Sequence, residues 1–497
     1  MTLETALAPL SALEERGRQL VDRDWTLHIG GRETDAHEGR TFAVVAPYGE
    51  DVIANVPDAG AADVDRAVAA CHSASPGWGR MTPRERALHV EALADAIEER
   101  EMDFAIVDSM DSGAPISIML SDVRMAVESL RYFAGVAMEM KGSTIPASPH
   151  LHLTMLQPYG VVAKIIPFNH PFLFAASKIA APLIAGNTVV LKPAEATPLS
   201  ALLLGDILDQ VLPAGVCSIV VGDGPSVPTA LVRHPLVRRI GFTGSERVGR
   251  IIQREAADVG VKNVTLELGG KNALLGFPDA DLDAVSEAAI AGMNFTWSGQ
   301  SCGSTSRLLL HESIADDVLE RISRRLSNRS YISPLDPEAV QGTMVSRRQF
   351  DRVIGYLDGA TSRGARVVTG GGSPAGMEDT LFIEPTYLDG VDSSWPVARE
   401  EIFGPVVSVL RWSTEQEAIT IANDVEYGLT GSIFTNDTKT AMRAARDLET
   451  GYIWVNGVGV HFQGVPYGGW KNSGLGKEES LEELINYTQS KSVTFFL

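Results

Sequence analysis

The sequence predicts an α/β protein that is built on parallel sheets and divided into two or three domains. Apolar, strand-like runs alternate with helical patterns along much of the chain, which is the order expected of βαβ units. The chain has 497 residues, of which 44% are hydrophobic, so it is longer than a single core normally accommodates. Its charged fraction of 21% is ordinary for a globular protein.

The strand-like runs fall into two groups. The pattern of the first favours a dinucleotide-binding half, with strands at 160–166, 188–191, 217–221 and 239–242 and helices at 172–184 and 200–212. The second predicts a separate α/β domain, with strands at 273–277, 307–310, 365–369, 406–410 and 432–435 and an Ala-rich helix that ends near residue 291. The segments 142–158 and 491–496 are strand-like but isolated in sequence, so they need partners elsewhere, for which another subunit is one source.

The charge and the cysteine content limit the partners and the compartment. With a net charge of −21, the chain lacks the positive field that nucleic acid or an acidic membrane surface requires, so neither is an expected partner. Three cysteines provide no disulfide framework, which indicates a reducing compartment. Residues 1–24 lack the basic start and apolar stretch of a signal peptide, and the most apolar window, 172–191, is interrupted by Lys178, Pro182 and Asn187. We therefore expect a cytoplasmic protein, and we expect no metal site.

A small polar loop contains the candidate nucleophile. In SGQSCG, 298–303, two glycines flank Cys302, so backbone N–H groups can approach both a thiolate and a carbonyl oxygen. A small buried cysteine is the simpler interpretation of such a residue on its own. We adopt that interpretation for Cys71, in an Ala-rich helix, and for Cys217, at the start of an apolar strand.

Two further motifs supply a candidate base and a candidate oxyanion donor. In TLELGGK, 265–271, Glu267 lies between leucines, and an apolar setting raises the proton affinity of a carboxylate toward the range that a general base needs. In IPFNHP, 166–171, Asn169 follows a predicted parallel strand at the edge where ligands bind, and its amide donates without titrating. Taken singly, Glu267 is equally consistent with a paired surface residue and Asn169 with a turn residue beside prolines.

Three motifs contain candidate cofactor groups. LKPAE, 191–195, brings Glu195 to a strand end, where acidic residues accept from ribose hydroxyls in dinucleotide folds. GFTGSERVG, 241–249, is a Gly-rich strand-to-helix turn of the kind that binds pyrophosphate, although it lacks the full GxGxxG spacing. The sixth motif is EEIFGP, 400–405.

In this order the six motifs resemble those of the aldehyde dehydrogenase superfamily across nearly the whole chain, and the tail PYGGWKNSG, 466–474, is similar to that family's C-terminal signature. The resemblance implies that Cys302 is the nucleophile, Glu267 the base and Asn169 an oxyanion donor. It implies NAD as the cofactor, with contacts from Ile166, Phe168, Lys192, Glu195, Gly224, Ser245, Leu268, Glu401 and Phe403. Because the Glu195 carboxylate would repel a 2′-phosphate, NAD is favoured over NADP.

Two further matches carry open interpretations. Lys178 and Glu478 correspond to a pair associated with proton relay in the family, and a structural role is at least as good an interpretation of them. Pro228 replaces a family glycine that follows Gly224, which leaves the start of the local helix undefined.

The resemblance also implies the architecture and the assembly. A Rossmann-like cofactor domain would be discontinuous and formed by 1–137 and 157–268, and a second α/β catalytic domain would be formed by 269–475. A small β oligomerisation arm would consist of 138–156 and 476–497. Because members of the family usually form dimers or tetramers, the resemblance implies a homodimer or a homotetramer.

The substrate tunnel is the part of the site for which the sequence leaves two interpretations. By motif spacing, the family's tunnel positions are His170, Phe174, Ser177, His461 and Tyr467. Ser177 replaces a large ring, which widens the tunnel, and the two histidines and the tyrosine add hydrogen-bonding groups. Either the histidines face the substrate, or they are bonded to backbone and fill space. The first interpretation predicts a substrate larger than acetaldehyde, with an aromatic ring or a distal polar group.

The predicted reaction is oxidation of an aldehyde to the carboxylic acid with NAD. It proceeds through a thiohemiacetal and a thioester on Cys302, which is hydrolysed by water that Glu267 activates. Three alternatives are a CoA-acylating semialdehyde dehydrogenase, a thioester hydrolase and a catalytically silent structural protein on the same fold. Glu267 argues against the first, the nucleotide-binding motifs against the second, and the joint presence of Cys302, Glu267 and Asn169 against the third.

Overall fold

A computed structural model describes residues 7–497, so the first six residues of the predicted cofactor domain lie outside the described part. The strands are β1 (Leu27–His28), β2 (Glu33–Thr34), β3 (Thr41–Val45), β4 (Val52–Pro57), β5 (Leu151–Pro158), β6 (Val161–Ile165), β7 (Thr188–Lys192), β8 (Cys217–Ile219), β9 (Val237–Thr243), β10 (Asn263–Glu267), β11 (Ala273–Gly276), β12 (Arg307–His311), β13 (Arg366–Thr369), β14 (Thr386–Asp389), β15 (Val406–Trp412), β16 (Tyr427–Gly428), β17 (Thr430–Phe434), β18 (Tyr452–Val455), β19 (Trp470–Lys471), β20 (Gly474–Leu475) and β21 (Thr488–Phe495).

The helices follow the predicted alternation. They are α1 (Leu10–Val21), α2 (Ala61–Arg80), α3 (Pro83–Glu98), α4 (Glu101–Ser112), α5 (Ile116–Gly135), α6 (Pro171–Ile184), α7 (Leu199–Val211), α8 (Ser226–Arg233), α9 (Glu246–Val259), α10 (Leu282–Gly292), α11 (Glu312–Leu326), α12 (Arg347–Thr361), α13 (Pro396–Arg399), α14 (Glu415–Asn423), α15 (Thr438–Asp447) and α16 (Leu481–Asn486). Among residues 7–497, no helix is both long and apolar enough to cross a membrane.

The first sheet has eight strands in the order β2-β1-β8-β7-β6-β9-β10-β20, and its five central strands are parallel. Every residue of β6 and β7 is buried, as expected of strands that helices cover on both faces. The chain order reverses between β6 and β9. A ligand crevice is expected at that reversal, beyond the carboxyl ends of the strands, and β6 leads there directly into Asn169.

The second sheet has seven strands in the order β13-β14-β15-β12-β11-β17-β18, which are parallel except for the edge strand β13. Successive residues of a strand point to opposite faces, so Leu274 and Leu308 join one buried cluster while Leu275 and Leu309 join another. Both faces of this sheet are therefore covered. The two predicted halves are confirmed as α/β sheets, whereas the predicted domain boundaries stay a prediction.

The two strand-like segments that are isolated in sequence pair with each other in the structure. β21 pairs with β5 antiparallel along its whole length, from Thr488 opposite Pro158 to Phe495 opposite Leu151. The predicted strand 142–158 is shorter than expected, because regular pairing begins only at Leu151. Two prolines, at 146 and 149, remove backbone donors from the part that precedes it.

Pro228 does not disturb the start of its helix. α8 begins at Ser226, so Pro228 lies in the first helical turn. The N–H groups of a first turn have no intrahelical partner, and a proline there removes no helix hydrogen bond.

Candidate active site

The Cys302 loop is held by close contacts with two neighbouring segments. Gly299 has a φ of +69°, and a Cβ on it would lie 2.5 Å from the carbonyl oxygen of Gly404, so only glycine fits there. The Asn272 amide donates to the Cys302 carbonyl oxygen at 2.7 Å. A Cβ on Gly270 would lie 2.7 Å from that same oxygen, so the Gly-Gly turn that follows β10 packs directly on the backbone of Cys302.

Glu267, the last residue of β10, is a buried carboxylate without a protein partner. Its exposed fraction is 5%, and neither carboxylate oxygen has a hydrogen bond within residues 7–497. Burial raises the pKa of Glu267 well above its ordinary value, Glu478 adds to that rise, and Lys178 opposes it. An unpaired buried carboxylate is costly unless water solvates it. Glu267 therefore has the properties of a general base that acts on water.

The electrostatic setting of Cys302 disfavours its thiolate. Burial raises the pKa of the Cys302 thiol to about 12, and the Glu401 and Glu267 carboxylates act in the same direction. A hydrogen bond from Tyr467 and the charge of Lys178 act in the opposite direction. A thiolate at neutral pH therefore requires further positive charge or hydrogen-bond donors near the sulfur.

Asn169 is buried just beyond β6, and both of its neighbours contact other parts of the site. The Phe168 ring packs edge-on against the Phe403 ring, with centroids 5.7 Å apart. The His170 ring packs against the Trp297 ring at 4.9 Å, and Trp297 lies five residues before Cys302. The end of β6 and the Cys302 loop thus meet across the predicted crevice.

The two tunnel histidines are bonded to carboxylates rather than to backbone. His170 Nδ1 lies 2.7 Å from Asp122 Oδ2, and His461 Nδ1 lies 3.1 Å from both carboxylate oxygens of Glu479. A carboxylate only accepts, so Nδ1 of each ring carries the proton and Nε2 lies on the opposite side. The histidines are thus anchored to side chains, so the expected backbone anchoring is wrong, whereas the choice between facing a substrate and filling space stays a prediction.

The remaining predicted tunnel positions differ in what their side chains contact. Phe174 packs against His170 with ring centroids 5.4 Å apart. The Ser177 hydroxyl donates to the Leu173 carbonyl at 2.6 Å, so Ser177 contributes its small size rather than a free donor. Tyr467, another predicted tunnel residue, also acts on Cys302, because its hydroxyl lowers the pKa of the Cys302 thiol.

Lys178 and Glu478 form a direct buried ion pair next to Glu267. A second lysine supports it, since Lys164 Nζ lies 3.7 Å from Glu478 and donates to the Tyr487 hydroxyl at 2.7 Å. The pair is therefore part of a larger buried charge network. Such a network can hold structure or move protons, and its geometry is compatible with both roles.

The predicted ribose and phosphate contacts lie at the carboxyl ends of β7 and β9. Lys192 Nζ contacts Glu195 Oε2 at 3.1 Å, and the Lys192 carbonyl accepts from the Ile166 N–H at 3.0 Å. Ser245 is the N-cap residue of α9, but its side chain makes no capping hydrogen bond, so hydroxyl and helix N–H groups are available to an anion. Gly224, with a φ of +78°, borders open space. These donors and the open position suit a dinucleotide.

The other predicted cofactor contacts surround the Gly-Gly turn. Glu401 Oε1 accepts from the Gly270 N–H at 3.0 Å, and Leu268 is buried just before that turn. Phe403 adopts a φ of +58°, an unusual conformation for a bulky residue, and this turns its ring onto Phe168. The structure thus brings these residues together around the turn that packs on the Cys302 backbone.

Sequence analysis missed several residues that complete the site. Asn272 directly follows the Glu267 motif, so its polar side chain after a Gly-Gly turn was a usable signal. The others have no such signal, because they come from distant segments that only the fold brings in: Asp122, Trp297, Glu479, Tyr487 and Lys164.

Comparison with known proteins settles the family. Residues 34–493 match the family model described as "Aldehyde dehydrogenase family". This chain belongs to the aldehyde dehydrogenase family. It is 45% identical over 462 residues to aldehyde dehydrogenase tropH of Talaromyces stipitatus, which covers 91% of this chain and 89% of the relative.

Solved aldehyde dehydrogenases share the whole fold. The NAD+ complex of an aldehyde dehydrogenase from Bacillus cereus superposes with a TM-score of 0.94 at 36% identity, covering 98% of this chain and 99% of that one. A mutant of the P. syringae indole-3-acetaldehyde dehydrogenase AldA, in complex with NAD+ and IAA, superposes with a TM-score of 0.96 at 34% identity, covering 99% and 100%.

Proposed function

We propose that this aldehyde dehydrogenase oxidises an aldehyde to the carboxylic acid with NAD, through a thioester on Cys302. The observation that carries the proposal is the contact between two catalytic segments. The turn that follows Glu267 packs on the Cys302 backbone, and Glu267 presents a buried carboxylate without a protein partner. Family membership supports the same reaction, and similar enzymes have been solved with NAD+.

The first half of the reaction forms the thioester. The Cys302 sulfur attacks the carbonyl carbon, a C–S bond forms, and the carbonyl π electrons move to oxygen. Asn169 and the Cys302 N–H donate to that oxyanion, and one such donor typically contributes about 2.7–4 kcal/mol. When NAD is bound, its nicotinamide ring supplies positive charge near the sulfur and accepts the hydride as the carbonyl re-forms.

The second half hydrolyses the thioester. Glu267 takes a proton from a water molecule while the water oxygen attacks the thioester carbon. The C–S bond then breaks, and the carboxylic acid leaves with the Cys302 sulfur restored. The adjacent Lys178 and Glu478 ion pair offers a route by which the proton on Glu267 reaches solvent.

The substrate we propose is an aromatic aldehyde that carries a second oxygen function. Ring packing between His170 and its aromatic neighbours, and between His461 and Tyr467, supports a tunnel with aromatic walls, in which Ser177 would leave space. With Nδ1 engaged by a carboxylate, Nε2 of His170 and of His461 accepts from a hydroxyl when the ring is neutral and donates to an oxyanion when it is charged. A similar enzyme that acts on indole-3-acetaldehyde supports the aromatic part of this proposal.

The assembly we propose is a homodimer or homotetramer formed through the β5–β21 ribbon. A two-stranded ribbon is marginal on its own, and this one exposes large apolar residues, namely Leu151, Met155, Phe495, Phe496 and Leu497. The segments 138–156 and 476–497 would then form the arm. The cofactor domain would consist of 1–137 and 157–268, and the catalytic domain of 269–475. Three free cysteines support a cytoplasmic location.

Substitution of the nucleophile tests the proposal. We expect Cys302→Ala to lower NADH production by a factor of about 1,000 or more, because no other group can form the thioester. NAD binding, followed by fluorescence quenching, should be retained. Cys217→Ala is the matched control, since it removes a buried thiol from β8 outside the site. Turnover by Cys302→Ala within tenfold of the wild type would contradict the thioester mechanism.

A further inference from the structure

Tyr467 lies against the nucleophile rather than only along the tunnel. Its exposed fraction is 6%, and its hydroxyl lies near enough to the Cys302 thiol to lower the pKa of that thiol. The same hydroxyl lies 3.7 Å from the position that a Cβ on Gly303 would take. The hydroxyl is therefore within van der Waals reach of the residue that follows the reacting cysteine.

The hydroxyl of Tyr467 is held in place from the backbone and from the ring. The Tyr467 N–H donates to the Glu478 carbonyl at 3.0 Å, and the Glu478 N–H donates back at 2.7 Å. Its ring packs on His461, with centroids 4.5 Å apart, and on Tyr452 at 5.7 Å. An anchored aromatic side chain loses little conformational entropy when it makes its hydrogen bond.

A hydrogen bond between the Tyr467 hydroxyl and the Cys302 sulfur would have a defined direction when the sulfur is an anion. A thiolate has no proton to give, so the phenol must donate to it. Burial, followed by the charges of Cys302 and Glu267, raises the pKa of Tyr467 well above its ordinary value, which keeps the phenol proton in place. The other groups that face the sulfur are Glu401 and Glu267, which disfavour the thiolate, and Lys178, which favours it.

We propose that the Tyr467 hydroxyl donates a hydrogen bond to the Cys302 thiolate and holds the sulfur in position for attack on the aldehyde. This inference rests on the proposed role of Cys302 as nucleophile. Tyr467 makes no bond to the substrate carbon and gives up no proton in the reaction. Its contribution is to increase the fraction of reactive thiolate and to fix the direction of one sulfur lone pair.

Tyr467→Phe removes only the hydroxyl and keeps the ring between His461 and Tyr452. Loss of a hydrogen bond to a charged group typically shifts the pKa of that group by about 1–2 pH units. The pH profile of Cys302 reactivity in Tyr467→Phe should therefore move to higher pH by that amount. The limiting rate on the alkaline side should rise, because a more basic thiolate is a better nucleophile. A mere packing defect would change the rate by the same factor at every pH.

The experiment measures alkylation of Cys302 by iodoacetamide in the NAD-saturated enzyme, with the modified peptide quantified by mass spectrometry over a range of pH. The acid limb of kcat/KM is measured in parallel and should shift in the same direction. Tyr159→Phe is the matched control, because its hydroxyl accepts a hydrogen bond from Asn263 at 3.0 Å outside the site. The control profile should coincide with that of the wild type.

The outcomes separate this inference from the proposed function. An alkaline shift in Tyr467→Phe, absent in Tyr159→Phe, supports the role of Tyr467. A profile that coincides with the wild type, or that falls equally at every pH, overturns it while Cys302 remains the nucleophile. If complete alkylation of Cys302 left turnover intact, the proposed thioester mechanism itself would be wrong.

Discussion

Glu195 is the group that we expect to determine the choice between NAD and NADP. Its side chain is 46% exposed at the end of β7, and Lys192 Nζ lies 3.1 Å from its carboxylate. Burial raises the pKa of Glu195, but Lys192, a backbone hydrogen bond and Arg348 together outweigh burial, so the pKa lies below its ordinary value. The carboxylate is therefore ionised at neutral pH. A 2′-phosphate on a ribose bound there would carry about −1.5 to −2 charges beside it.

The size of the repulsion follows from the distances and the exposure. Two unit charges about 4 Å apart at an effective dielectric constant of about 20 interact by about 4 kcal/mol. The Lys192 charge cancels part of this, and a half-exposed carboxylate is further screened, so about 1–2 kcal/mol remains. Glu195→Gln keeps the size and an acceptor oxygen but removes the charge. We expect kcat/KM with NADP to rise about 5–30-fold and kcat/KM with NAD to fall severalfold, because a neutral acceptor binds ribose hydroxyls less strongly.

Initial rates with both cofactors and one aldehyde, at low and at high ionic strength, measure this effect. The gain with NADP should shrink at high salt, because exposed charges are screened. Glu312→Gln is the matched control, since it removes an exposed carboxylate at the start of α11 in the second sheet's half. An unchanged NADP to NAD ratio in Glu195→Gln, or a gain that does not depend on salt, would refute the electrostatic reasoning.

The remaining predictions concern hydrolysis and the tunnel. Glu267→Gln should release one burst of NADH per active site and then turn over slowly. The thioester should be detectable by mass spectrometry. Absence of both the burst and the thioester would assign Glu267 a role earlier than hydrolysis. In the wild type, the hydrolysis rate should fall as the pH drops through the raised pKa of Glu267, because the base is then protonated. Ser177→Trp should lower kcat/KM for hydroxybenzaldehydes far more than for acetaldehyde, and equal losses for both would remove the case for a wide tunnel.

The sequence predicts most of the reacting groups of this site but few of the residues that hold those groups in place. Cys302, Glu267 and Asn169 lie in short motifs whose glycines, apolar flanks and strand-end positions have local physical reasons, so they can be recognised without a structure. The Asp122 partner of His170 comes from the middle of α5, and no local pattern there differs from that of a buried helix. Pairings of this kind depend on packing between elements that are distant in sequence.

Tyr467 is a second residue whose contacts cannot be predicted from the local sequence. Its position among the predicted tunnel residues follows from the motif, but its approach to Cys302 depends on the backbone pairing with Glu478. Likewise, the two isolated strands could be identified as strands, whereas their mutual pairing could not. An antiparallel partner more than 300 residues away leaves no trace in local sequence.

One segment, Tyr467 to Glu479, approaches several of the predicted functional residues. The Tyr467 hydroxyl lowers the pKa of the Cys302 thiol, and a Cβ on Gly468 would lie 2.8 Å from Glu267 Oε1. The Glu478 side chain pairs with Lys178, and Glu479 holds His461. Because the proposed thioester formation would use the first of these interactions and the proposed hydrolysis the second, a single ordered segment would support both halves of the reaction. Disorder in it should therefore slow the burst and the later turnover together, whereas removal of the Tyr467 hydroxyl alone should act through the sulfur.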